Sequence, residues 1–146
     1  MSAGKKFIKA YEGKFKEDLK ASYEALKANM PAEMVETIVG DMIRFELPLK
    51  VYPKTYNKQP LMYAGLSARK SNLAMTLTGI YNDEVLKEGF INSAGEKTPK
   101  LKTATSCLKF KKAEELPLGE IKKLTKRLNT KRFLKNYEAL MKRMGR

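Results

Sequence analysis

The 146-residue chain contains no histidine. Its absence removes the commonest general base and the commonest metal ligand together. Serine–histidine and cysteine–histidine nucleophile systems are thereby excluded. Cysteine is nearly absent too: Cys107 stands alone, so neither an intramolecular disulfide nor a cysteine-only metal site can form. That pattern fits a reducing compartment. No glycine-rich phosphate loop or dinucleotide fingerprint occurs, since Gly4 and Gly13 match neither spacing. No apolar run approaches the roughly 20 residues that span a bilayer. Residues 1–16 alternate lysine with apolar side chains and lack the apolar centre of a signal peptide. The expectations are a cytoplasmic location, no membrane partner and no enzymatic activity. No cofactor is called for.

What is abundant is positive charge: 30 Lys and Arg against 16 Asp and Glu, a net of +14. It is unevenly placed. Residues 1–96 carry 14 basic and 12 acidic side chains, whereas residues 97–146 carry 16 basic and only 4 acidic. The excess is therefore a property of the last third, where a local positive field attracts polyanions and weakens with salt. The bland alternative is a lysine-rich solvated surface. The length suits one domain over residues 1–146, and the 42% hydrophobic content suffices for a core.

Periodicity sets out an α+β order. Phe7, Tyr11, Phe15, Leu19, Tyr23 and Leu26 recur at helical spacing, predicting one amphipathic helix over residues 3–28, weakened at Gly13. Pro31 is expected to open a shorter helix that buries Met34, Val35, Ile38 and Met42. Strand-like patterns follow over residues 44–51, 61–67, 72–78 and 105–111, with Pro48 marking an edge or bulge. In the last of these, Cys107 and Lys109 share one face, and Leu108 and Phe110 the other. Asn82 or Asp83 is placed to cap a helix that buries Val85, Leu86 and Phe90. Two helices close the chain. One opens at Pro117 with Leu118, Ile121, Leu124 and Leu128 on its apolar stripe. The other is capped by Thr130, with Phe133, Tyr137, Leu140 and Met144 on its stripe. The expected fold is a small, mainly antiparallel sheet of about four strands packed by N-terminal and C-terminal helices.

Two constellations offer binding chemistry. On the penultimate helix Lys122, Lys123, Lys126 and Arg127 lie off the apolar stripe, as do Lys131, Arg132, Lys135, Lys142 and Arg143 on the last. Packed side by side, the helices would turn some of these charges outward as a polyanion surface with salt-dependent affinity. Aromatics for base stacking are sparse there, so any nucleic-acid binding would be nonspecific. Mid-chain, Tyr52, Tyr56 and Tyr63 precede a turn carrying Arg69 and Lys70. Phenol hydroxyls beside cations could line a pocket for a small anion. The competing reading packs these tyrosines at the sheet edge with their hydroxyls in water. Cys107 admits activation by nearby lysines, but its strand position favours a packing role.

Three stretches carry a family resemblance. They are Leu47-Pro48-Leu49 with Val51-Tyr52-Pro53-Lys54-Thr55-Tyr56-Asn57 and Gln59-Pro60-Leu61; Tyr63-Ala64-Gly65-Leu66-Ser67-Ala68-Arg69-Lys70-Ser71-Asn72-Leu73 with Gly79-Ile80-Tyr81; and Ser106-Cys107-Leu108-Lys109-Phe110-Lys111-Lys112 with Glu114-Glu115-Leu116-Pro117-Leu118. In that order they resemble the YdhG-like domain family, a bacterial group of unknown function, over about residues 13–140. The resemblance implies a compact fold similar to frataxin, and some family members are labelled intracellular iron chaperones. Frataxin-type iron binding uses an acidic ridge along the first helix and the neighbouring strand. The matching carboxylates here are Glu12, Glu17, Asp18 and Glu24, interspersed with lysines. Where the family commonly has Gly-Lys before the Ser-Cys pair, this chain has Ala104-Thr105. The leading expectation is a non-enzymatic YdhG-like protein that binds an anionic partner or small ligand. The alternatives are an iron chaperone, with iron as its one metal, and a nonspecific nucleic-acid-associated protein.

Overall fold

The structure, a computed structural model, describes residues 2–102 and 106–145. Two helices, α1 (Ala3–Ala10) and α2 (Lys16–Lys27), precede β1 (Val35–Val39), β2 (Met42–Leu47), β3 (Leu61–Ala68) and β4 (Leu73–Thr76). A single turn, α3 (Thr78–Tyr81), leads into α4 (Glu84–Ala94) and then β5 (Cys107–Phe110). Helices α5 (Leu118–Arg127) and α6 (Thr130–Arg143) complete the chain. The five strands form one antiparallel sheet in sequential order. The α+β class and the flanking helices agree with the sequence reading; the sheet has five strands rather than four. No helix among the described residues is long and apolar enough to cross a membrane.

The additional strand is β1, where the sequence pattern predicts a helix after Pro31. Met34, Val35, Ile38 and Met42 do fit a helical stripe, but four of the five residues from Val35 to Val39 are β-branched. Such side chains lose rotamer freedom in a helix and fit a pleated surface. The decisive feature is Gly40. It takes φ +62° in a two-residue hairpin between the paired Val39 and Met42, a conformation glycine adopts without steric cost.

The predicted first helix is also divided. Tyr11 leaves the helical region as the C-cap of α1, and its phenol folds over Gly13, where a Cβ would collide with it. Ser2 caps the start of α1, its Oγ accepting from Lys5 N at 3.2 Å. The last helix is capped by Asn129, one residue before the expected Thr130; Asn129 Oδ1 accepts from Arg132 N at 2.9 Å. The expected start of the last strand, Thr105, lies outside the described residues.

The core occupies one face of the sheet. Ile43, Phe45, Leu47, Leu66, Leu73, Met75, Leu108 and Phe110 point into it and meet Leu19, Tyr23 and Leu26 of α2, Leu86 and Phe90 of α4, and Ile121 of α5. A bulge between Phe45 and Glu46 sets both Tyr63 and Ala64 into the same core. Each buried leucine or phenylalanine stabilises the fold by about 2–3 kcal/mol of transfer free energy. The opposite face carries Val35, Thr37, Val39, Met42, Arg44, Thr76, Cys107 and Lys109, all outside the core cluster. Arg44 Nε lies 3.1 Å from Glu46 Oε2 there. Cys107 is half-buried beside exposed Lys109, on the face the alternation assigned.

Candidate functional site

Helix α6 is amphipathic with a sharp division of labour. Phe133 and Tyr137 are buried, while Met144, the expected end of the stripe, is 52% exposed. One step around the helix, Arg132 and Asn136 reach Asp83 at the start of α4. Arg132 Nε and Nη2 bond Asp83 Oδ2 and Oδ1 at 2.6 and 3.0 Å, and Asn136 Nδ2 donates to Oδ2 at 2.8 Å. Asp83 Oδ1 also caps α4, accepting from Leu86 N at 3.0 Å. Asp83 is 4% exposed. Burial alone would raise its pKa, but the bonds from Arg132, Leu86 N and Asn136 hold it well below the usual carboxylate range.

This node closes the floor of an open groove of about 990 Å³ between α6 and the start of α4. Five cationic side chains line it, Lys131, Arg132, Lys135, Lys142 and Arg143, against two carboxylates, Asp83 and Glu84. Arg132 and Asp83 satisfy one another. Lys131, Lys135, Lys142 and Arg143 are exposed, recurring along one face of α6 and free to meet an anion. Three asparagines, Asn82, Asn129 and Asn136, add hydrogen-bonding groups.

Of the nine cations expected on the last two helices, the groove brings together Lys131, Arg132, Lys135, Lys142 and Arg143. The other four, Lys122, Lys123, Lys126 and Arg127, are exposed on α5 but do not line it. Helix α5 packs instead on α2 and α4, with Asn29 Nδ2 bonded to Lys122 O at 2.9 Å. Lys123 Nζ stands 3.6 Å from Glu120 Oε1.

The expected tyrosine pocket is not assembled. Tyr63 is 1% exposed, with its hydroxyl donating to Leu128 O at 2.7 Å. Burial pushes its pKa far above that of a free phenol. Arg69 and Lys70 sit at the opposite end of β3, about 20 Å away at the rise of an extended strand. Tyr52 and Tyr56 do meet, in a hollow of about 280 Å³ shared with Lys54, Tyr137, Glu138 and Met141. There Tyr56 N donates to Tyr137 Oη at 2.9 Å, and the Tyr52 and Tyr137 rings meet edge to face. Replacing Tyr63 with phenylalanine is expected to cost about 1–2 kcal/mol in urea unfolding, by orphaning the Leu128 carbonyl. Binding of anions by the folded variant is expected to be unchanged.

The candidate acidic ridge is dispersed as well. Asp18 Oδ1 accepts from Ala113 N at 2.8 Å, tying α2 to the segment after β5, and Glu12 lies in the connection between α1 and α2. Among the described residues no three Cys, Asp or Glu side chains converge to hold a metal. Comparison of the chain with protein-family models, curated proteins and solved structures gave no match.

Proposed function

We propose that this chain is a non-catalytic binding protein that seats the phosphate backbone of a nucleic acid, without sequence preference, in the α6–α4 groove. The observation that carries this reading is the row of four exposed cations along α6, with the fifth already neutralised by Asp83. Phosphate contacts need positive charge in a shape that follows a chain, and an open groove supplies it. No stacking aromatic lines the groove, so base readout has no support there. The family proposal remains YdhG-like, supported by the three ordered motifs and by an antiparallel sheet with flanking helices.

Fluorescence anisotropy with labelled RNA and duplex DNA tests the proposal. Four cation–phosphate contacts give a slope of about −3.6 in log affinity against log salt, or roughly a hundredfold loss between about 50 and 200 mM salt. The double variant Lys131→Glu/Lys135→Glu is expected to bind at least tenfold more weakly with a shallower slope. Lys122→Glu/Lys123→Glu on α5 is expected to stay close to the parent protein. No binding at low salt, or equal losses in both variants, overturns the assignment.

A further inference from the structure

The break between α1 and α2 creates a second basic site that an unbroken helix would not contain. With the chain interrupted at Tyr11, α1 packs against α2 and the lysines of the two helices are brought face to face. Lys5 and Lys9 lie on one wall of a cleft of about 390 Å³, with Lys16, Lys20 and Glu24 on the other. Ile8 and the ring of Tyr23 form its floor. Both are buried in the protein core below, so the floor is apolar and fixed.

The charges are poorly compensated. Lys16 Nζ donates to Lys9 O at 3.1 Å, which ties α2 to the carbonyl end of α1. Among the described residues, Lys5, Lys9, Lys16 and Lys20 form no ion pair with a carboxylate. Four ammonium groups thus surround one cleft that holds a single acid. Like charges brought together raise the free energy of the folded chain, and a bound anion relieves that repulsion. Lysine stems are apolar and the charge sits only at their tips, so the cleft is greasy within and positive at its mouth.

We propose that the α1–α2 cleft binds a small amphipathic anion: a free carboxylic acid with a medium-length alkyl or an aromatic body. The alkyl body rests on Ile8 and Tyr23 between the lysine stems, and the carboxylate lies among the tips of Lys5, Lys9 and Lys20. The cleft volume of about 390 Å³ lies at the small end of the range of ligand pockets, which suits a ligand of this size. The site is separate from the α6 groove and does not depend on that assignment.

The probe is anilinonaphthalene sulfonate, whose emission rises in an apolar site, displaced by decanoate below its micelle concentration. Decanoate is expected to compete in the micromolar to millimolar range, and decanol, its neutral analogue, at least tenfold more weakly. The variant Lys9→Gln/Lys20→Gln changes only exposed side chains and is expected to bind decanoate at least tenfold more weakly while melting no lower than the parent protein. Lys131→Glu/Lys135→Glu is expected to leave decanoate binding untouched, which separates this site from the groove. Equal competition by decanol, or full affinity in the Lys9/Lys20 variant, overturns the proposal. So does sedimentation with phosphatidylglycerol vesicles in the absence of decanoate binding, which would assign the lysines to lipid headgroups.

Discussion

Replacing Asp83 with alanine is expected to lower the free energy of unfolding by about 3 kcal/mol in urea titration. About 1 kcal/mol is the lost N-cap of α4. The remaining ~2 kcal/mol is the loss of charge-assisted bonds to Arg132 and Asn136 from a site almost closed to water. Arg132 keeps a third of its side-chain surface exposed and can rehydrate, so the full penalty of a stranded buried charge does not apply. Asp83→Asn retains the capping oxygen and is expected to lose about half as much. The pH dependence has a fixed sign. The folded pKa lies below the unfolded value, so the contribution is complete above about pH 4–5 and fades as acid protonates the carboxylate. The stability gap between parent and Asp83→Ala is therefore expected to narrow below about pH 4. Binding should move the other way. Removing Asp83 deletes one of two carboxylates from the groove and releases Arg132 into it, so the folded variant is expected to hold RNA more tightly. A variant that is both less stable and weaker in binding would count against the groove.

The elements most legible in the sequence were those with a single consistent period. Leu73 and Met75 share the core face of β4 with Ala74 and Thr76 on the other, and Ile121 and Leu124 mark the buried side of α5, because burial on one face leaves little choice of register. Residues 34–42 were ambiguous for a physical reason. Their apolar side chains satisfy both a helical stripe and a strand, and only the β-branched run with glycine at a tight turn separates the two. The division at Tyr11 was harder still. Phe7, Tyr11 and Phe15 remain at helical spacing across it, and the packing of Tyr11 over Gly13 is a local contact that spacing does not encode.

The candidate sites show the same limit. Lys131, Lys135, Lys142 and Arg143 could be placed on one face of α6 from spacing alone, since their positions follow the turn of the helix. That α5 would turn its own lysines elsewhere depended on tertiary packing, as did the capture of Arg132 by Asp83 across 49 residues. The tyrosines misled because a sequence cluster need not be a cluster in space. Tyr63 lies near the start of a strand that carries Arg69 away from it, and the bulge beside Phe45 turns its phenol into the core. The lysine cleft had no sequence signal at all; in one continuous helix its two walls would be successive turns.

Changing Glu36 to alanine is expected to release α1 from the rest of the fold. Glu36 lies on β1 with 8% of its side chain exposed, and three donors converge on it. Gly4 N donates to Oε1 at 2.8 Å, Tyr23 Oη to the same oxygen at 2.8 Å, and Lys27 Nζ to Oε2. Burial opposes its ionisation, but the bonds from Lys27, Tyr23 and Gly4 hold the pKa below the usual range. Lys27 keeps 41% of its side-chain surface in solvent, so the ion pair itself contributes little. The bonds from Gly4 N and Tyr23 matter more, because they join α1, α2 and the sheet edge at one point. The approach is close enough that a Cβ on Gly4 would overlap the Tyr23 ring and Glu36 Oε1, so Gly4→Ala should act in the same direction. Loss of about 2–3 kcal/mol of local stability corresponds to roughly a hundredfold faster hydrogen exchange at the amides of α1. The amides of β3 are expected to slow or quicken far less. Because α1 is one wall of the lysine cleft, Glu36→Ala should also abolish decanoate binding while leaving RNA binding at α6 intact. Exchange that rises equally across the sheet would instead mean that Glu36 supports the whole fold, and that α1 does not open as a separate unit.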